Sequence, residues 1–407
     1  MARIRLVVSA SLFLAMAGFG ITVPILPFMA RELGTSPIGV SLLISLFALA
    51  QFLSGPVWGS LSDRYGRRRI LAAGLAGYSL SFFLAGLSTT LPALIGSRAL
   101  GGLLSASVFP ASQAFIADKT SREDRGPAMA VMGAWINLGF LLGPVIGGAL
   151  SPLGYRTPMF VAGAVTAATS AFAALGLREP GEAVSKVEAT GERAAAPRGW
   201  PSPADIRAAL TSPTSPYLWM TFAVSFSMAG LTALLAYFVI DRLGGASLDA
   251  ATIFTALGLV GFIAQSLLVG RLIRRFGEHR LAIGGTLVSV LGLVALVPAT
   301  TLAPAVAAVM VAGLGVSLLR PSLTSSVSCL TPLPQGLTMG VQSSLDSLGR
   351  MAGPIACGWV YGYGVTLPFL TSATILALFG TWLTRTGVPS PDARGSRRPV
   401  ARPLPRP

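Results

Sequence analysis

Four charged side chains stand inside otherwise apolar stretches of the 407-residue sequence: Arg98, Arg320, Asp346 and Arg350. Charge is costly to hold in apolar surroundings, which makes each of them a candidate for function. Asp346 and Arg350 are four residues apart and so share one face of a helix. The pair suits two chemistries. It can serve as a structural ion bridge, or Asp346 can carry a proton while Arg350 or Arg320 tunes its pKa through nearby positive charge. Asp346 is the only acidic residue in the interior of any of these stretches, away from their ends. Arg98 also has two readings: a long side chain reaching water from near a helix end, or a group that works inside the apolar layer. Gln51, Gln113, Trp135, Asn137, Tyr237, Phe238, Gln265 and Gln342 lie in the same stretches. Together they suit a cavity with aromatic walls and few hydrogen-bonding groups, fit for amphipathic organic compounds. Each taken alone is also an ordinary packing or lipid-facing residue. The one histidine, His279, lies in a charged loop, and Cys329 and Cys357 lack metal-binding spacing. No metal site and no catalytic nucleophile or acid pair is expected, so an enzyme or scaffold is the least favoured class.

The elements that must hold these residues follow from composition. Hydrophobic residues make up 53% of the chain and charged ones 11%, against about 25% charged in ordinary globular domains. Mean hydropathy is +0.71. Runs such as Leu6 to Ala30 are long enough to cross lipid. They lack the alternation of barrel strands, so the spans are helices. Twelve are expected, over 6–30, 38–60, 70–88, 92–117, 127–150, 158–177, 216–240, 249–270, 281–299, 304–330, 337–361 and 366–386. The first run is longer than a signal peptide's apolar region and reads as a retained span. Residues 1–177 form one six-helix bundle and 216–386 a second. Between them, 178–215 is a polar, proline-rich linker with a short amphipathic helix around Ala204 to Leu210, and 387–407 is a disordered basic tail.

Net charge is +15, but its placement is that of a membrane protein rather than a nucleic-acid binder. Arg3, Arg5, Arg64, Arg67, Arg68, Arg69, Lys119, Arg122, Arg125, Arg271, Arg274, Arg275 and Arg280 collect on one side; Arg31, Arg156 and Arg242 lie on the other. Both termini and the linker are therefore expected in the cytoplasm, in a plasma or inner membrane.

The halves repeat. Gly59 to Gly66 aligns with Gly270 to Gly277 at an offset of 211, which also carries Gly74 onto Gly285 and Pro110 onto Pro321. An offset of 210 carries Gly139, Gly143 and Pro144 onto Gly349, Gly353 and Pro354. Two similar six-span halves are the arrangement of a transporter whose site lies between them.

The densest motif is Gly59-Ser-Leu61-Ser-Asp63-Arg64-Tyr-Gly66-Arg67-Arg68-Arg69. It resembles the major facilitator superfamily signature G-x-L-[AS]-D-R-x-G-R-[RK]-[RK]. That resemblance implies a fold of twelve transmembrane helices in two pseudo-symmetric bundles, an all-α integral membrane protein. It also implies a charge relay among Asp63, Arg67 and Asp118 that latches the outward-facing state. Gly139-x-x-x-Gly143-Pro144-x-x-Gly147-Gly148 is similar to the superfamily's antiporter motif, typical of exporters. Gly18, Pro24 and Pro27 resemble the first-span pattern of twelve-span drug:proton antiporters, with Ala17 in place of the family's leucine. Arg98-Ala-Leu-Gly101 resembles R-x-x-Q-G, whose arginine is implicated in proton transfer; Gly101 replaces the glutamine. Many relatives carry acids inside the first or fourth span, and this chain has none there.

The resemblance implies a secondary transporter, no enzyme, exporting small drug- or antibiotic-like molecules by alternating access. The proton gradient would supply the energy in place of any bound cofactor. Small-molecule substrate, protons and lipid are the expected partners, nucleic acid is not, and a monomer is expected. The alternative is a proton-coupled uptake permease of the same superfamily, against which the complete fifth-span motif argues.

Overall fold

Backbone polar groups in lipid must be satisfied within each span, and this chain meets that demand with helices. The computed structural model describes residues 2–118, 125–176, 203–331, 333 and 335–385, and every regular element among them is helical. The expectations for the linker before residue 203 and for the tail lie outside the described residues.

The first half runs through α1 (Ala2–Glu32), α2 (Pro37–Tyr65), α3 (Arg67–Leu87), α4 (Leu91–Ser105), α5 (Val108–Asp118), α6 (Arg125–Leu150) and α7 (Thr157–Gly176). After α8 (Pro203–Thr211), the short helix anticipated at the linker's end, come α9 (Ser215–Leu243), α10 (Ser247–Ile263), α11 (Val269–Phe276) and α12 (Glu278–Ala295). The chain closes with α13 (Leu302–Leu330), α14 (Gln335–Tyr361) and α15 (Leu367–Arg385). Helices α4 and α5 together make the fourth span. Helices α10 and α11, joined by a π turn over Ala264–Leu268, make the eighth. The ninth span ends at Ala295, short of the expected 299.

Among the described residues, eleven helical spans are long and apolar enough to cross a membrane. The twelfth, α14, is equally long and more polar. It carries Gln342, Ser343, Ser344, Asp346, Ser347 and Arg350. The span that departs from pure hydropathy is the one that holds the candidate acid.

The break between α4 and α5 has a local cause. Pro110 has no N–H to donate, and its ring crowds the carbonyl four residues back, at Ala106. The helix yields at Ala106 and Ser107, and the Ser107 hydroxyl reaches the Ile70 carbonyl of α3 at 3.4 Å.

The sequence repeat is also a packing repeat. A Cβ on Gly74 would press on the Leu104 carbonyl, and one on Gly285 on the Gly315 carbonyl; both contacts obey the 211 offset. Gly139 and Gly143 lie against the backbone of α1 at Phe13 and Ala17. Gly349 and Gly353 lie likewise against α9 at Phe222 and Phe226. Small residues four apart let these backbones touch. The turns Gly66 and Gly277, also 211 apart, have φ of 95° and 77°, where a side chain would be strained.

The halves join at one end of the bundle, where α1 runs into α2 and α9 into α10. Arg31 Nη1 bonds Asp241 Oδ1 at 3.0 Å, the Tyr237 hydroxyl donates to the Thr35 carbonyl at 3.0 Å, and Ser247 meets Ser151 at 2.8 Å. Deeper in, the Ser45 hydroxyl donates to the Met351 carbonyl at 2.7 Å. Helices α6 and α10 stay in contact from Gly148 and Ala251 through Leu141 and Gly258, and Asn137 meets Gln265 at 2.9 Å below them.

Candidate substrate and coupling site

Three spans of the second half bring four polar side chains together. Asp346 on α14 accepts from Arg320 of α13 at 3.3 Å through one oxygen and from Arg350 at 3.2 Å through the other. The Ser225 hydroxyl of α9 also donates to Asp346, and Arg320 Nη2 donates to Ser225 Oγ at 3.0 Å. Arg350 further donates to Ser347 at 3.2 Å. One turn toward the start of α14, Gln342 donates to Thr221 at 3.2 Å. Both arginines named as possible partners of Asp346 are thus its partners.

The cluster faces the molecular interior. On α14 the exposed apolar residues Leu348, Ile355 and Trp359 mark the lipid side. At about 100° per residue, Ile355 lies half a turn round from Asp346, and Trp359 half a turn round from Arg350. On α13 exposed Val311 stands the same way opposite Arg320. Yet Arg320 and Arg350 are 45% and 44% exposed. Residues that face inward, lie mid-helix and remain half-exposed require an open interior space. The seam just described closes one end of the molecule, so that space opens toward the other.

The other candidates fall into place around it. Asn137 and Gln265 bond each other across the two halves, and Gln265 sits in the π turn, a device that re-aims side chains. Gln51 is half-buried on α2. Tyr237 is not an interior-wall residue: it is 2% exposed, and its hydroxyl is spent on Thr35 in the outer seam. Phe238 is fully buried against Phe369. Arg98 is 4% exposed, so it does not reach water from a helix end. Its Cζ lies 5.5 Å from the centre of the Phe82 ring, and its Nε and Nη2 have no hydrogen-bond partner among the described residues.

At the motif between α2 and α3, Gly59 is followed by Arg64, exposed on the last turn of α2, then by the Gly66 turn. Arg67 donates to Ser62 at 3.2 Å, and Arg68 to the Ala174 carbonyl of α7. The side chains of Asp63, Asp118 and Gln113 lie outside the described residues. In the antiporter motif, Gly147 meets Ile21 of α1, while Gly148 turns to Ala251 of the second half. Pro144 is carried within α6 without ending it, as Pro24 and Pro27 are within α1. Gly18 packs near Thr166 of α7.

Two features escaped sequence reading. Ser225 is one serine among many in apolar spans and carries no distinguishing signal. The Arg31–Asp241 pair does carry one: its members are 210 residues apart, so equivalent positions of the two halves meet across the pseudo-symmetry axis with opposite charge.

Two six-helix halves, sealed at one end around an interior with an ion-paired acid, define a membrane transporter of the alternating-access type. The chain belongs to the Major Facilitator Superfamily, whose family model matches residues 8–332 and again 218–406. It is 33% identical over 375 residues to Multidrug resistance protein 1 of Bacillus subtilis (strain 168), covering 90% of this chain and 92% of that one. To Quinolone resistance protein NorA of Staphylococcus aureus (strain COL) it is 26% identical over 363 residues, covering 88% and 90%. A bacterial homolog to the human lysosomal transporter Spinster, solved in an inward-facing and occupied conformation, superposes with a TM-score of 0.75 at 17% identity, covering 95% and 96%. This last likeness concerns the fold.

Proposed function

We propose that the protein exports small amphipathic organic molecules from the cytoplasm by alternating access, in exchange for protons taken up at Asp346. The observation that carries this reading is the Arg320–Asp346–Arg350 cluster, half-exposed in an interior that is closed outside. Full-length likeness to multidrug and quinolone resistance proteins supports the direction of transport. In this cycle a proton arriving from outside neutralises the carboxylate and loosens its hold on two guanidinium groups on different helices, α13 and α14. Loss of the proton to the cytoplasm restores the cluster. Cargo enters from the cytoplasm, the outer seam parts, and the inner ends close with Asp63, Arg67 and Asp118 as latch. Arg98 takes part in proton movement. The protein acts as a monomer in the cell membrane with both termini cytoplasmic, as a transporter rather than an enzyme. Its halves are 1–177 and 216–386, tethered by the linker.

The test compares inverted and right-side-out vesicles from cells overproducing the protein, using a panel of fluorescent drugs. Export requires energised accumulation in inverted vesicles. Accumulation confined to right-side-out vesicles under an inward proton gradient would establish the uptake permease instead.

A further inference from the structure

The transport reading leaves the chemistry of the cargo open, and the interior charge narrows it. The other acids on the spanning helices (Glu32, Asp63, Asp118, Asp241, Asp249 and Glu278) all lie in the first or last turn of a helix. Asp346 alone lies within a span. Three guanidinium groups lie there: Arg98, Arg320 and Arg350. With Asp346 ionised the interior carries 3 − 1 = +2, and no second acid is present to balance it. Two of the three cations are turned into the open space and half-exposed.

The wall opposite them is of another kind. The offsets of the repeat carry Arg350 onto Phe140, Asp346 onto Ile136 and Arg320 onto Phe109. Pseudo-symmetric positions stand at matching depth in the two halves. Where the second half presents charge, the first presents apolar groups. Phe140 stacks on Phe19 with ring centroids 6.3 Å apart, and Phe19 lies 6.2 Å from Phe47, all three half-buried.

We propose that the site takes its cargo as an organic anion, with the anionic oxygens on Arg320 and Arg350 and the apolar body against Phe19, Phe47 and Phe140. This rests on the transport reading and deepens it. Each guanidinium has five N–H donors in a planar fork suited to carboxylate-type oxygens. Arg350 spends one nitrogen, Nη2, on Asp346 and Ser347; Arg320 spends Nη1 on Asp346 and Nη2 on Ser225. An entering anion competes with the Asp346 carboxylate for these donors and brings the balancing charge that the protein lacks. Export of such a cargo moves negative charge outward, the direction favoured by an inside-negative membrane.

The test uses two dyes on one xanthene scaffold, fluorescein as the anion and rhodamine 123 as the cation. Each is titrated by fluorescence anisotropy against the full-length protein in lipid nanodiscs, without any gradient. Fluorescein is expected to bind at least about tenfold more tightly than rhodamine 123. Arg320→Gln and Arg350→Gln should each weaken fluorescein by about tenfold while leaving rhodamine 123 within a factor of about two. Asp346→Asn should tighten fluorescein. If a glutamine variant fails to fold, Arg320→Lys and Arg350→Lys, which keep the charge and lose the fork, should weaken fluorescein to a lesser degree. Tighter binding of rhodamine 123, no binding of fluorescein, or fluorescein affinity indifferent to these variants overturns the proposal. Transport in inverted vesicles is scored separately. Charge preference without energised export defeats only the exporter reading, and export with cation preference defeats only this one.

Discussion

A carboxylate survives mid-membrane only when its oxygens are satisfied, and Asp346 meets that condition with two guanidinium groups and a serine hydroxyl. Arg98 meets it poorly: beside Phe82, two of its nitrogens have no partner among the described residues. An unpaired buried charge destabilises the fold that holds it. Arg98→Met is therefore expected to raise the thermal midpoint of the purified protein while cutting transport by about tenfold or more, the trade seen where function is held at the cost of stability. A lowered midpoint would mean that Arg98 is structural. At this scale the sequence was partly legible. Asp346 and Arg350 declared themselves by four-residue spacing in an apolar run, and Arg320 by its charge. Ser225 did not, because a hydroxyl can satisfy itself on its own helix backbone anywhere in a span. Tyr237 misled, since periodicity does not distinguish the interior wall from the outer seam.

Helices in lipid gain little from hydrophobicity when they associate, so close backbone packing carries much of the attraction. In α6, a Cβ on Gly143 would stand 2.6 Å from both the Ala17 carbonyl oxygen and the Gly20 Cα of α1, neither of which can rotate away. Gly143→Val is expected to cost about 1–3 kcal/mol and to lower the thermal midpoint, and Gly353→Val should do the same in the second half. Gly59 is different. A Cβ there meets nothing within 4 Å, so Gly59→Ala should leave the midpoint unchanged; any loss of transport in that variant then belongs to the transport cycle and not to folding. Eleven of the spans were readable from hydropathy, and the more polar α14, the glycine seams and the repeat from spacing. The break at Ala106 was not, since the fourth span was expected unbroken over 92–117: Pro110 gives the break a cause, but the matching Pro321 sits inside an unbroken α13, so proline alone does not decide. The π turn around Gln265 has no proline or glycine of its own to announce it in the sequence.

Across the whole molecule, the conformation is set by how firmly the outer seam holds. Its ion pair is largely solvated, with Arg31 47% and Asp241 30% exposed, so it contributes only about 0–1 kcal/mol. Arg31→Ala should therefore shift the balance between outside-closed and outside-open forms by no more than about fivefold. Labelling of Ser45→Cys by an impermeant maleimide from outside, with Cys329 and Cys357 replaced by serine, would read that shift as a faster rate. An unchanged rate would place the seam's strength in Tyr237, Ser247 and the apolar contacts beneath. A weak latch suits a transporter, since each turnover must break it. The central claim, that protons drive export through Asp346, is tested most directly in proteoliposomes holding Asp346→Asn. Substrate-for-substrate exchange, which needs no proton, should persist at a rate comparable to the wild type, while accumulation driven by an imposed pH gradient should vanish. Accumulation by Asp346→Asn at the wild-type level would contradict it.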